Sequence, residues 1–189
     1  MTDAALKTRL DIEPAADALP PLAIEPAVAD ALLAIELWDD AEGASADLAG
    51  LIGPLPAPCR AAPSGLHRVL WWEPQTWLVR APLDLRDSLP EPLTAALEGR
   101  GAVTDVSGGF RRIRARGSKW RELLMIGGVF DAEHGFPVGS VVGTVIHHLP
   151  VRLDAVDADT VDAYVAPSYA EELLHHWRKA QARLVSAAL

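Results

Sequence analysis

Arg111, Arg112, Arg114 and Arg116 stand within six consecutive positions, and Lys119 and Arg121 follow shortly after. Alternate side chains of a strand share a face. A strand here puts Arg112, Arg114 and Arg116 on one side and Ile113 and Ala115 on the other. Guanidiniums held in a row can bind an anion or dock an acidic partner. The competing reading is a solvated strand face, since charge on an exposed strand is ordinary. Histidines offer a second chemistry. His147-His148 and His175-His176 resemble metal pairs, but neighbours on a strand point to opposite faces and neighbours on a helix diverge by about 100°. Neither pair can chelate as a unit, and the i, i+4 spacing of a helical zinc motif is absent. A site using His134 with one histidine of each pair would depend on the fold bringing them together.

Asp105 and Ser107 flank a Gly108-Gly109 turn. A serine nucleophile needs an elbow of the G-x-S-x-G kind, and Val106-Ser107-Gly108 does not supply it. Backbone hydrogen bonding within the turn is the expected role of both residues. Cys59 is the single cysteine. It sits between Pro58 and Arg60 with no paired histidine in view, so it reads as unreactive and fits a reducing cytosol. No dinucleotide or phosphate-loop pattern occurs.

The formal net charge of −9 argues against nucleic acid, whose phosphates need a basic face, and gives no attraction to anionic lipid. Half of the 189 residues are apolar and 23% are charged, which is globular composition. No run of about 18 uninterrupted apolar residues suggests a membrane span. The first residues lack the basic-then-apolar pattern of a signal peptide. A cytoplasmic protein is the expectation.

The elements that must position these residues follow from periodicity. Residues 1–28 are rich in Ala, Pro, Asp and Glu, with Pro14, Pro20, Pro21 and Pro26 preventing a long helix. They read as an extended arm, either disordered or laid against a partner, with a single domain over 29–189. Strands are expected at 31–38, 67–72, 76–81, 102–106, 110–116, 141–148, 151–155 and 161–166. Helices are expected at 46–52, from the Ser88-Leu-Pro-Glu91 capping box to Gly99, at 118–126 behind Ser118, and from the Ser168-Tyr-Ala-Glu171 capping box onward. The last helix places Leu173, Leu174, Trp177 and Leu184 on one face. Trp71, Trp72 and Trp77 crowd one hairpin, either as core or as interface anchors. The order β-α-β-β-α-β then β-α-β-β-β-α mixes hairpins with helical crossovers, which argues for an α+β fold with mixed or antiparallel sheets in two halves.

The order of segments is specific at Asp105-Val-Ser107, Gly117, Phe136-Pro-Val-Gly-Ser140 and Ala166-Pro-Ser-Tyr169. Over roughly residues 64–180 it resembles the sarcosine oxidase gamma subunit family, a relative of the folate-binding domain of the glycine-cleavage T protein (aminomethyltransferase). The resemblance implies a folate-binding-domain-like fold and a non-catalytic accessory subunit of a heterotetrameric sarcosine-oxidase-like flavoenzyme, which demethylates sarcosine or a related secondary amine. Flavin, NAD and folate are then expected in larger partner subunits, with none in this chain. In folate-using relatives an acidic residue holds the pterin. Neither Asp131 nor Glu133 can be matched to it, so no catalytic, cofactor-binding or metal residue is carried over. The other reading is a stand-alone folate-binding one-carbon (aminomethyl) transferase.

Overall fold

The computed structural model describes residues 20–38 and 41–186. Ten strands form two five-stranded sheets, and every strand pairing among the described residues is antiparallel. The first half of the chain supplies β2 (Asp30–Leu37), α1 (Ala41–Ile52), β3 (Ala61–Ser64), β4 (His67–Glu73), β5 (Thr76–Pro82), α2 (Pro90–Leu97) and β6 (Gly101–Asp105). The second half supplies β7 (Arg111–Arg116), α3 (Trp120–Met125), β8 (Val141–Ile146), β9 (Leu149–Asp157), β10 (Thr160–Val165) and α4 (Ala170–Ser186). The one exchange is β1 (Ala23–Pro26), which crosses over to pair with β7.

The sheet orders are β3-β4-β5-β2-β6 and β1-β7-β10-β9-β8. Read from β8, the second order matches the first position by position. The counterpart of β6 is β1, taken from the start of the chain instead of from beyond α4. The halves therefore share one plan without sequence identity, and the N-terminal segment closes the second copy.

Strand alternation sends each apolar set to a different layer. Leu33, Ile35, Leu37, Val69 and Val79 pack under α1 and α2 with Leu48, Ile52, Leu93 and Leu97. Ile113, Ala115, Leu153, Val161 and Ala163 pack under α3 and α4 with Trp120, Leu123, Leu173 and Trp177. Leu32, Leu70 and Leu78 of one sheet meet Val141 and Tyr164 of the other in a third cluster. The result is four layers, helix-sheet-sheet-helix, with a seam between the sheets.

Several local expectations are corrected. Residues 20–28 of the expected arm are extended and seated on the second half through β1; residues 1–19 lie outside the described residues. Backbone carbonyls of Pro20 and Pro21 lie over Gly117, whose φ is 115°, and a Cβ there would stand 2.3 Å and 2.5 Å from them. Lys119 N donates to Pro21 O and the Gln181 amide donates to Leu22 O. None of the serine caps holds. The helix expected behind Ser88 is entered from a 3₁₀ turn at Leu83–Leu85, so Leu89 N already donates to Leu85 O, and Ser88 Oγ turns back to the same carbonyl. At α3 the backbone of Lys119 and Trp120 bonds Pro21 O and Gly117 O, leaving Ser118 no role at the helix start. Ser168 lies inside a 3₁₀ turn at Pro167–Tyr169, where Tyr169 N donates to Ala166 O. In each case a backbone acceptor reached the first-turn N–H groups before a side chain could.

Candidate functional site

The concentrated polar chemistry lies in the seam. Asp162 of β10 is fully buried, with three guanidiniums around it. Arg114 donates from Nε to Oδ1 at 2.6 Å and from Nη2 to Oδ2 at 2.7 Å. Arg80 Nη1 donates at 2.6 Å and Arg112 Nη1 at 3.1 Å. Arg112 also pairs with Asp30 at 2.5 Å. Beside this group Arg68 makes a two-pronged contact to the buried Asp154, 2.5 Å on each arm.

Arg68 and Arg80 stand on one sheet with Asp30; Arg112, Arg114, Asp154 and Asp162 stand on the other. The pairs Arg68–Asp154, Arg80–Asp162 and Arg112–Asp30 each cross the seam. Burial alone would push the Asp162 carboxyl up, but Arg114, Arg112 and Arg80 outweigh it and hold it below the usual range. At Asp154 burial prevails over Arg68 and pushes the carboxyl up. Satisfied on every side, these groups hold the two sheets in one register.

This overturns both readings of the arginine strand. The structure keeps Arg112, Arg114 and Arg116 on one face, but that face is turned inward. Arg112 and Arg114 are consumed by internal carboxylates, and Arg116 is half-buried with its Nε shielded. Only Arg111 is exposed, at a cleft of about 360 Å³ between residues 26–30, Phe110 and the start of α4. Lys119 pairs with Glu122, and Arg121 holds the carbonyls of Ala132 and Phe136 while lying over the Trp120 ring.

Asp105 and Ser107 act as a turn lock. Ser107 donates to Asp105 Oδ1 from its hydroxyl at 2.6 Å and from its backbone at 2.9 Å. Leu32 N donates to Ser107 Oγ at 3.0 Å, tying the turn to β2. Ser107 and then Arg86 hold the Asp105 carboxyl down to about 2. Asp131 closes a turn of its own, accepting from Glu133 N, His134 N and His134 Nδ1. His134 thus partners Asp131 and does not join the other histidines.

His147 and His148 do not continue a strand. They form the two-residue link between β8 and β9, with φ of 48° and 70°. A primed hairpin turn demands such positive values, and glycine or asparagine usually supplies them. The turn lays His147 flat on His176, ring centroids 4.2 Å apart, while the His176 ring bonds Ile126 O. One histidine of each pair therefore meets, by stacking. No group of three or more metal-ligating side chains occurs among the described residues.

Of the hairpin tryptophans Trp77 is buried and Trp71 and Trp72 are half-buried. Trp77 donates to Pro56 O, Trp71 packs with the α1–α2 core, and Trp72 sits in the seam against Phe110 and Tyr164. Cys59 is exposed and unbridged. Sequence reasoning missed Asp30, Arg68, Arg80, Asp154 and Asp162. Their signal was a charge at the inner position of an otherwise apolar alternation, as in Val161-Asp-Ala-Tyr-Val165.

Two half-chains, each building one antiparallel sheet with helices outside and charged inner faces joined, define an aminomethyltransferase-like α+β protein. Heterotetrameric sarcosine oxidase from Corynebacterium sp. U-96 contains a chain of this fold: TM-score 0.77, 21% identity, covering 87% of this chain and 85% of that one. Aminomethyltransferase T of the glycine cleavage system from Bartonella henselae shares it at TM-score 0.65 and 10% identity, covering 84% of this chain but 45% of that one. This chain thus spans under half of the transferase. No curated protein sequence matches the chain significantly. The family signature of sarcosine oxidase, gamma subunit, matches residues 39–183, and the chain belongs to that family. It is a gamma-type accessory subunit of the sarcosine oxidase class.

Proposed function

We propose that this chain assembles with larger flavoprotein subunits into a heterotetrameric enzyme that oxidatively demethylates sarcosine or a related secondary amine, in the cytoplasm. The family match over residues 39–183 carries the reading. The chain contributes fold and contact surface. Flavin, NAD and folate chemistry belongs to the partner subunits. The disposition of its own polar groups supports this, because the arginines, aspartates and serine that a sequence would nominate for chemistry bind one another across the seam or within turns. No helix among the described residues is long and apolar enough to cross a membrane. The stand-alone folate-binding transferase loses ground, because the family matched over residues 39–183 is that of the sarcosine oxidase gamma subunit.

The test is to tag the chain in its native host and purify it under mild salt. The expected result is co-purification with a larger subunit carrying a flavin spectrum and sarcosine-dependent peroxide formation. Recovery of the tagged chain alone, with amine oxidation intact in a separate fraction, would overturn the proposal.

A further inference from the structure

We propose that the open end of the seam, beside β8, is a binding groove for a carboxylate attached to a small apolar body. The groove has a volume of about 360 Å³ and is walled by Trp72, Phe110, Tyr164, Pro150 and Gly143. That size lies within the range of small-ligand pockets. Its single charged lining residue is Arg152.

Arg152 differs from its neighbours on the inner faces. Arg68, Arg80, Arg112 and Arg114 each hold a carboxylate at 2.5–2.6 Å. Arg152 is half-buried and, among the described residues, has neither a hydrogen-bond acceptor nor an ion-pair partner. The Trp72 ring fixes its plane, 4.3 Å below the guanidinium carbon. Trp72 is itself wedged edge-on between Phe110, 5.0 Å away, and Tyr164, 5.8 Å away. The guanidinium is thus held against an indole that is itself wedged in place, and it lines the groove. Burial lowers its pKa and outweighs Glu73 and Cys59, which act on it from a distance without pairing with it.

Gly143 faces Arg152 across the β8–β9 pair: a Cβ there would lie 3.7 Å from Arg152 Nη2 and 3.9 Å from Cζ and Nε, so a larger side chain would crowd the guanidinium and narrow the groove. A planar carboxylate matches two parallel N–H donors of a guanidinium. The aromatic walls then suit an apolar group carried behind it. A charged hydrogen bond in a partly dry groove supports discrimination of at least about tenfold against a neutral isostere.

Benzoate is the probe and benzamide its neutral isostere, titrated into the purified full-length chain and followed by the Trp72 indole N–H resonance. The expected result is saturable benzoate binding near about 1 mM, within reach of a ligand of that size, and at least tenfold weaker binding of benzamide. Arg152→Ala should weaken benzoate at least tenfold. Gly143→Val, which keeps the charge but crowds the guanidinium and narrows the groove, should do the same, and it serves where Arg152→Ala fails to fold. Equal affinity for the two probes, no saturation, or full affinity in a folded variant of either kind would overturn the proposal.

A carboxylate can come from a free molecule or from an acidic side chain of a partner. Titrating the assembled complex separates the two. Benzoate binding that persists marks a free ligand as the natural occupant, and binding that is lost on assembly marks a partner's side chain.

Discussion

Replacing Asp162 by asparagine removes one charge from the middle of the seam and almost no volume. The structure sets the consequence. Asp162 is fully buried and receives Arg80, Arg112 and both donors of Arg114. Arg112 keeps Asp30 after the change, but Arg80 and Arg114 lose their only carboxylate partner among the described residues. Removing one member of a buried ion pair costs about 3–5 kcal/mol, because the remaining charge is left uncompensated. The side chains of Arg80 and Arg114 are 17% and 18% exposed, so water recovers part of that loss. The low end, about 3 kcal/mol, is therefore expected. For a domain of this size that lowers Tm by roughly 6–12 °C.

Urea denaturation and calorimetry measure it, with Glu122→Gln as control. Glu122 of α3 pairs near the surface with Lys119, the residue just before the helix, and its loss should cost no more than about 0.5 kcal/mol. Acid gives an independent check. The folded-state pKa of Asp162 is lowered, so its contribution is complete above the unfolded carboxyl value and is lost as pH falls through the lower folded value. Asp162→Asn should remove that share of the acid sensitivity. A cost below about 1 kcal/mol, near the surface-pair range, would show that the arginines are solvated and that the network does not hold the sheets together.

Gly117→Ala should destabilise by about 1–3 kcal/mol or more from the positive φ alone, and the new methyl would push Pro20 and Pro21 off the fold. Faster hydrogen exchange at Glu25 and Ala27, whose N–H groups face β7, would report it, and unchanged protection there would refute the strap. Trp177→Ala should cost about 3–5 kcal/mol, since the side chain is fully buried against the second sheet; a cost below about 1 kcal/mol by denaturation would refute that packing. Asp105 is held down to about 2, so its stabilising share is present above the ordinary carboxylate value and disappears as pH falls from there through about 2. Asp105→Asn should flatten the unfolding curve over that window, and an unchanged acid limb would show that the turn lock contributes nothing.

Local periodicity by itself determined every strand but the short β1 and β3, the β4–β5 hairpin and the apolar face of α4, because alternation and helical spacing are properties of neighbouring residues. The order of these elements was enough to mark the family resemblance. Gly117 was visible as the end of a strand, though its reason was not: the carbonyls it accommodates belong to Pro20 and Pro21, nearly a hundred positions earlier. The proline-rich start read as an extended arm because its prolines prevent a long helix, and Pro26 has no N–H for a ladder. As the end of an edge strand it needs none, and only the open edge of β7 made that place available. The inner face of β7 reads the same in sequence whether water or a second sheet lies against it. Asp162 is 48 residues from Arg114 and 82 from Arg80, so no local rule could pair them. Stacking the two sheets decided that the arginine face is interior, since burial makes each guanidinium require a carboxylate and only the opposing strands bring one.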